Sequence, residues 1–151
     1  AEFLKSQNIG LIVSSDLERC RITANIISKA TGAKVVFDAG LRERNLGEAE
    51  GMPKDERNKK YGEEILFGYK TTPPGGETFE ELETRTWNAF IKNRDIDGNK
   101  NVVIVSHGGA IRAIVKKIKK WSHYKILLLW KPIYGLLLTV YILLHFPSFR
   151  K

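Results

Sequence analysis

The stretch Asn101-Val102-Val103-Ile104-Val105-Ser106-His107-Gly108-Gly109-Ala110 decides the fold. Residues 101–105 read as the strongest strand of the chain, and Ser106-His107-Gly108-Gly109 turns that strand into a helix starting near Ala110. The same grammar appears earlier. Ile9-Gly10-Leu11-Ile12-Val13 is a short apolar run ending in Ser14-Ser15-Asp16, which predicts a buried strand meeting a helix cap. Leu17, Cys20, Ala24, Ile27 and Ala30 then recur at helical spacing until Gly32 supplies a stop. Strand, small polar turn and helix, twice over, predict an α/β fold with a largely parallel sheet.

Between these units the pattern changes. Val35-Val36-Phe37 reads as a further strand, and residues 40–76 form a long polar excursion broken by glycines and prolines, with at most one helix near 53–61. Thr78-Phe79-Glu80-Glu81 fits a capping box, in which the Thr and Glu side chains satisfy free N–H groups at a helix start, and that helix should reach about residue 93.

Composition sets wider limits. With 151 residues, 42% of them hydrophobic and 28% charged, the chain supports one domain (1–151) with a real core. That balance excludes a disordered tail, a collagen-like fibre and a disulfide-rich secreted module. Cys20 is the only cysteine, so no intrachain disulfide forms and a reducing, cytoplasmic setting is expected. The opening Ala1-Glu2-Phe3-Leu4-Lys5-Ser6-Gln7-Asn8 lacks the basic-then-apolar pattern of a signal peptide.

The net charge of +8 hides an asymmetry: residues 1–97 sum to −2, whereas residues 98–151 carry ten Lys or Arg and no carboxylate. A basic half suggests an anionic partner. Composition leaves phosphorylated substrate, nucleic acid and membrane surface open; the motifs below favour a phosphorylated small molecule, and nucleic acid is not expected. Residues 126–146 are apolar except for Lys131, Thr139 and His145, downstream of the basic Lys116-Lys117-Ile118-Lys119-Lys120. Membrane contact there ranks below a buried strand, because Lys131-Pro132 interrupts the run and leaves only Ile133–Leu144.

In a parallel sheet all carboxyl ends lie on one edge, and ligands bind in the crevice above it. Arg19 and His107, far apart in sequence, should face that crevice together. Gly108 and Gly109 let backbone N–H groups approach a ligand at the positive start of the next helix. A guanidinium fork, an imidazole and free N–H groups suit a phosphate dianion. Singly, Arg19 would be a solvated helix arginine and His107 a satisfied core histidine; their shared placement after separate strands favours a site. Glu43, in Leu41-Arg42-Glu43-Arg44, is the candidate acid that protonates a leaving alcohol. Its neighbours Arg42 and Arg44 favour its ionised form, so a salt-bridged loop glutamate is the alternative. Ser15 and Arg44 are secondary candidates for substrate contact. Three scattered histidines offer no metal-ligand spacing, and no metal or other cofactor is expected.

Four motifs in order carry a resemblance. Ser14-Ser15-Asp16-Leu17-Glu18-Arg19 with Thr23-Ala24 is similar to the S-S-D-L-x-R-x-x-x-T-A segment of the histidine phosphatase superfamily. Leu41-Arg42-Glu43-Arg44 with Gly47 and Gly51, Pro74-Gly75-Gly76-Glu77-Thr78 with Arg85, and Val105-Ser106-His107-Gly108-Gly109 with Arg112 resemble three further motifs of that family. The likeness spans residues 1 to about 115. It implies the three-layer phosphoglycerate mutase-like fold, Arg19 and Gly108 binding the phosphoryl group, His107 stabilising it in transfer, and Glu43 as proton donor, without a metal. The spelling is closest to the branch that acts on sugar bisphosphates and other small phosphomonoesters.

One departure matters. The family's nucleophile is a histidine in an Arg-His-Gly motif, and no Arg-His-Gly occurs among the 151 residues. The resemblance implies an N-terminally incomplete domain lacking the family's first strand, an interior strand whose loss would leave unpaired N–H and C=O groups beside Val102–Val105 and a poorly stable chain. A pseudoenzyme is the less favoured account. The rival functions are a phosphoglycerate mutase-type transferase and a non-catalytic module using the basic C-terminal half.

Overall fold

A computed structural model describes residues 2–93, 100–118, 125–130 and 139–145, the last two segments as backbone strands. In chain order the elements are α1 (Glu2–Lys5), β1 (Ile9–Ser14), α2 (Glu18–Thr31), β2 (Lys34–Phe37), α3 (Lys54–Phe67), α4 (Phe79–Asn93), β3 (Asn101–His107), α5 (Gly108–Ile118), β4 (Lys125–Trp130) and β5 (Thr139–His145). The sheet order is β2-β1-β3-β5-β4. β1 runs parallel to both β2 and β3, whereas β5 lies antiparallel to β3 and to β4. The three strands that carry the predicted site are therefore parallel, and a C-terminal antiparallel pair extends the sheet.

Strand alternation builds two cores, one on each face of the sheet. Val102 and Ile104 of β3 join Val13 of β1 under α4 and α5, packing with Phe90, Ile111, Ile114 and Ile118. Val103 and Val105 join Ile12 on the opposite face, packing with Leu4 of α1 and Cys20, Ala24 and Ile27 of α2. β3 is buried along its whole length, so its near-continuous apolar sequence follows from having helices on both sides. These are the three layers.

Local signals place the helix ends. Gly32 adopts the left-handed conformation (φ 73°) that closes α2, and its N–H reaches the Ser28 carbonyl. Thr78 and Glu81 form the reciprocal capping box at the start of α4: the Thr78 N–H donates to Glu81 Oε2 (2.8 Å) and the Glu81 N–H to Thr78 Oγ1 (3.2 Å). α3 runs six residues beyond the expected 61, through Gly62 at φ 71°, where the helix kinks.

Two expectations are corrected. The cap expected from Ser14-Ser15-Asp16 is not formed by any of the three; the N-cap of α2 is Leu17 without a side-chain bond, and the Asp16 carboxylate is drawn away by a two-pronged bond from Arg42 (2.7 and 2.6 Å). The strand edge beside Val102–Val105 is not open either, because β3 pairs with β1 on one side and β5 on the other. Residues 139–145 are a strand, as preferred over a membrane segment; residues 119–120 and 131–138 lie outside the described residues. Among the described residues no helix is long and apolar enough to cross a membrane.

Candidate active site

The carboxyl ends of β1 and β3 bring Ser15, Arg19, Cys20 and His107 together. Arg19 Nε donates to His107 Nδ1 at 3.0 Å across 88 residues of chain. With Nδ1 accepting, the imidazole proton sits on Nε2, which donates to Ser15 Oγ at 2.9 Å. Cys20 Sγ lies 3.5 Å from the same Nε2. His107 is 1% exposed, so both ring nitrogens are engaged and neither faces solvent. Arg19 uses only Nε for this contact; its two terminal nitrogens have no hydrogen bond among the described residues.

Burial, and then the positive charge of Arg19, push the His107 imidazole down to about pKa 4. It is therefore neutral near pH 7. Burial also raises the Cys20 thiol to about 11, so it stays protonated and is no nucleophile at neutral pH. The sign for stability follows. As pH falls, the exposed imidazole of the unfolded chain takes up its proton near 6.5, before the folded one does near 4. The contribution is complete above about pH 6.5 and is lost as pH falls towards 4, by roughly 3 kcal/mol at most. Urea denaturation at pH 7.5 and pH 5 is expected to show a larger acid loss in the parent chain than in His107→Asn. Equal losses would show that the imidazole titrates freely.

Glu43 enters from the loop that follows β2. Its Oε2 accepts the Gly109 N–H at 3.0 Å, on the first turn of α5, and its Oε1 accepts the Arg44 N–H at 3.0 Å. A carboxylate at a helix N-terminus meets oriented N–H dipoles, the same feature that would favour a phosphate there. Gly109 must be glycine for this contact, since a Cβ would collide with Glu43 Oε1. Gly108, the first residue of α5, lies between His107 and the N–H that Glu43 occupies.

Among the described residues neither flanking guanidinium bonds to the Glu43 carboxylate. Arg42 binds Asp16, and Arg44 turns inward, 7% exposed. The Arg44 guanidinium donates to three backbone carbonyls, Glu77 (2.6 Å), Leu66 (2.5 Å) and Thr71 (3.0 Å), and lies 4.1 Å over the Phe79 ring. A buried cation is tolerable only with its donors satisfied. Arg44 is thus placed as a brace of the loop rather than facing the crevice.

A second brace was indicated in the sequence only by resemblance. Arg85 on α4 forms a fork with Glu77 (2.7 Å to each oxygen) and donates to the carbonyls of Gly40 (2.9 Å) and Arg42 (3.2 Å). Ser106 Oγ adds a bond to the Leu41 carbonyl (2.6 Å). The backbone on the N-terminal side of Glu43 is therefore pinned to α4 and β3. Beyond this clamp lies the larger groove, about 790 Å³, lined by Asp38, Glu77, Glu80 and Glu81 beside Arg85 and Lys92. Four carboxylates make it a poor place for a phosphate.

An arginine and a neutral imidazole at the carboxyl edge of a parallel sheet, with a glutamate on the adjoining helix start, stand where open α/β sheets bind their ligands. The comparisons agree. Residues 1–130 match the model of the histidine phosphatase superfamily (branch 1), and the chain belongs to that family. It is 38% identical over 117 residues to the uncharacterized phosphatase PhoE of Bacillus subtilis, covering 78% of this chain and 57% of that protein. It is 36% identical over 118 residues to the probable phosphoglycerate mutase GpmB of Escherichia coli, covering 76% and 55%. A mycobacterial glucosyl-3-phosphoglycerate phosphatase in complex with VO3 superposes with a TM-score of 0.68 at 29% identity, covering 79% of this chain and 62% of that one. The chain spans less than two thirds of the length of these relatives.

Proposed function

We propose that the chain supplies the phosphoryl-binding and leaving-group side of a histidine phosphatase acting on small phosphomonoesters of the sugar phosphate type, in the cytoplasm. The observation that carries this reading is the Arg19–His107 contact at the shared carboxyl edge of β1 and β3. The two free terminal nitrogens of Arg19 take phosphoryl oxygens as a fork, and His107 donates once the phosphoryl group displaces the Ser15 contact. Gly108 lets the group approach the backbone of α5. Glu43, 66 residues away in sequence yet bonded to Gly109, protonates the leaving oxygen.

The attacking imidazole is not His107, whose ring nitrogens face Arg19 and Ser15. Covalent transfer through a phosphohistidine therefore calls on an Arg-His-Gly segment outside the 151 residues, after which water releases phosphate. The mutase reading differs in returning the phosphoryl group to substrate. It is favoured by relatives named as mutases, and the ratio of inorganic phosphate to isomerised product separates the two.

Vanadate titration of the 151-residue chain tests the pocket. Arg19→Ala removes a charge-assisted fork worth roughly 1.5–3 kcal/mol, so affinity is expected to fall about 10- to 100-fold. Unchanged binding in the variant, or none in the parent, would remove the basis of this reading.

A further inference from the structure

The positive charge of the C-terminal half plays no part in the site described above. Ten Lys or Arg and no carboxylate fall in residues 98–151, and α5 shows where some of them point. Ala110, Ile111, Ala113, Ile114 and Ile118 are buried, which leaves Arg112 and Lys116 exposed and Lys117 half-buried at the margin. Each cation has an aromatic neighbour. Lys116 Nζ lies 5.1 Å from the centroid of the Tyr69 ring, and Lys117 Nζ 5.6 Å from that of Trp87 on α4. Arg112 lines one small cleft with Phe67, the last residue of α3. Phe67, 56% exposed, is the most exposed large apolar side chain among the described residues, and Tyr69 is 44% exposed. Of the three cations only Lys116 is in an ion pair among the described residues, with Glu83 (2.5 Å), which also accepts the Tyr69 hydroxyl (2.9 Å). The exposed Glu63 and Glu64, one turn before Phe67, bound the strip in sequence on that side.

The chemistry of the strip selects its partner. A single-stranded nucleic acid stacks its bases on open aromatic faces. Here an ammonium already covers a face of Tyr69 and of Trp87, and Trp87 also packs on Phe90 with 5.1 Å between ring centroids. An anionic lipid surface asks for something else: cations at headgroup depth, with their methylene stems and adjoining rings dipping below. Lysines laid across Tyr and Trp rings, with Phe67 exposed beside an arginine, supply that arrangement.

We infer that Phe67, Tyr69, Trp87, Arg112, Lys116 and Lys117 form a docking surface for the anionic headgroups of a phospholipid membrane. The inference is independent of the phosphomonoester reading. Docking there turns the cleft beside Glu43 towards the lipid, since Phe67 and Arg112 line that cleft as well.

The test titrates the 151-residue chain with vesicles of phosphatidylcholine alone and of equal parts phosphatidylcholine and phosphatidylserine. The anionic vesicles are expected to bind at least about tenfold more tightly at low salt, and the preference should shrink as salt rises. One Lys or Arg at such a surface is worth about fivefold in affinity, so joint Arg112→Gln and Lys117→Gln should weaken anionic binding about 25-fold. Joint Arg112→Lys and Lys117→Arg should keep it. Lys116 is left in place because it also holds Glu83. The urea midpoint of each variant is measured alongside to establish that it folds. A second measurement needs no charge variant: brominated lipid in the anionic vesicles should quench tryptophan emission, and part of that quenching should vanish in Trp87→Phe. Equal binding to both vesicles, a folded double Gln variant that binds like the parent, or quenching unchanged by Trp87→Phe would overturn the inference. Binding of a single-stranded RNA without binding of anionic vesicles would overturn it too, and make nucleic acid the partner.

Discussion

Given an activated aryl phosphate or a sugar phosphate, the 151-residue chain is expected to show no turnover and to trap no acid-labile phosphohistidine. Each histidine is disqualified or unsupported as nucleophile. His107 is buried with both nitrogens engaged, and turning it outward would abandon Arg19 and Ser15. His145 stands at the far end of the sheet: β5 pairs Thr139 with His107 and Leu144 with Val102, so His145 lies six residues further along, about 20 Å from the site. His123 lies outside the described residues. Covalent catalysis divides one hard displacement into two easier ones, and without its nucleophile only binding and electrostatic help remain. Joining the chain to a segment carrying Arg-His-Gly should restore turnover and phosphohistidine together. Robust turnover by the 151 residues alone would make one of their own groups the nucleophile and end the proposal of an outside imidazole.

In that restored enzyme, Glu43→Gln should slow hydrolysis of an alkyl phosphate by about 10²–10⁴-fold. The substitution keeps shape while removing the transferable proton. The amide's one remaining oxygen can still accept the Gly109 N–H and keep the loop docked on α5, while the bond from the Arg44 N–H is given up. An alkoxide is a poor leaving group and needs the proton; an activated phenolate leaves nearly unaided. The aryl ester should therefore lose much less rate. Equal losses on both esters would mean that Glu43 holds the start of α5 or contacts substrate, and another carboxylate would have to serve as acid.

Much of this was legible in the chain because it is written at short range. The alternation of Val102–Val105, the helical spacing of Cys20, Ala24 and Ile27, and the Thr78–Glu81 box each act within a few residues. Arg19 and His107 could be paired because a parallel sheet sends successive carboxyl ends to one edge. Side-chain choices made across space were not legible. Nothing local tells Arg42 to take Asp16, 26 residues back, or Arg44 to turn away from Glu43 towards three carbonyls. Nor does composition reveal that β5 returns to pair along β3, since edge pairing uses backbone groups that every residue shares. That the Arg57 Nε finds no partner among the described residues was hidden for a related reason: a missing contact has no sequence signature.

The way Arg44 and Arg85 hold their loop bears on how such a site can diverge. Apart from the Glu77 carboxylate and the Phe79 ring, their partners are main-chain carbonyls at residues 39, 40, 42, 43, 66, 71 and 77. A carbonyl is present whatever side chain stands there. The loop's path is thus specified by two anchoring cations and is largely indifferent to the identity of the residues they grip. Side chains between those anchor points are free to drift under selection for a new leaving group while Glu43 stays where it is. Diversity of substrate and constancy of acid placement then become compatible within one scaffold, and mutational libraries confined to residues 54–65, with both arginines retained, are a rational place to search for altered specificity.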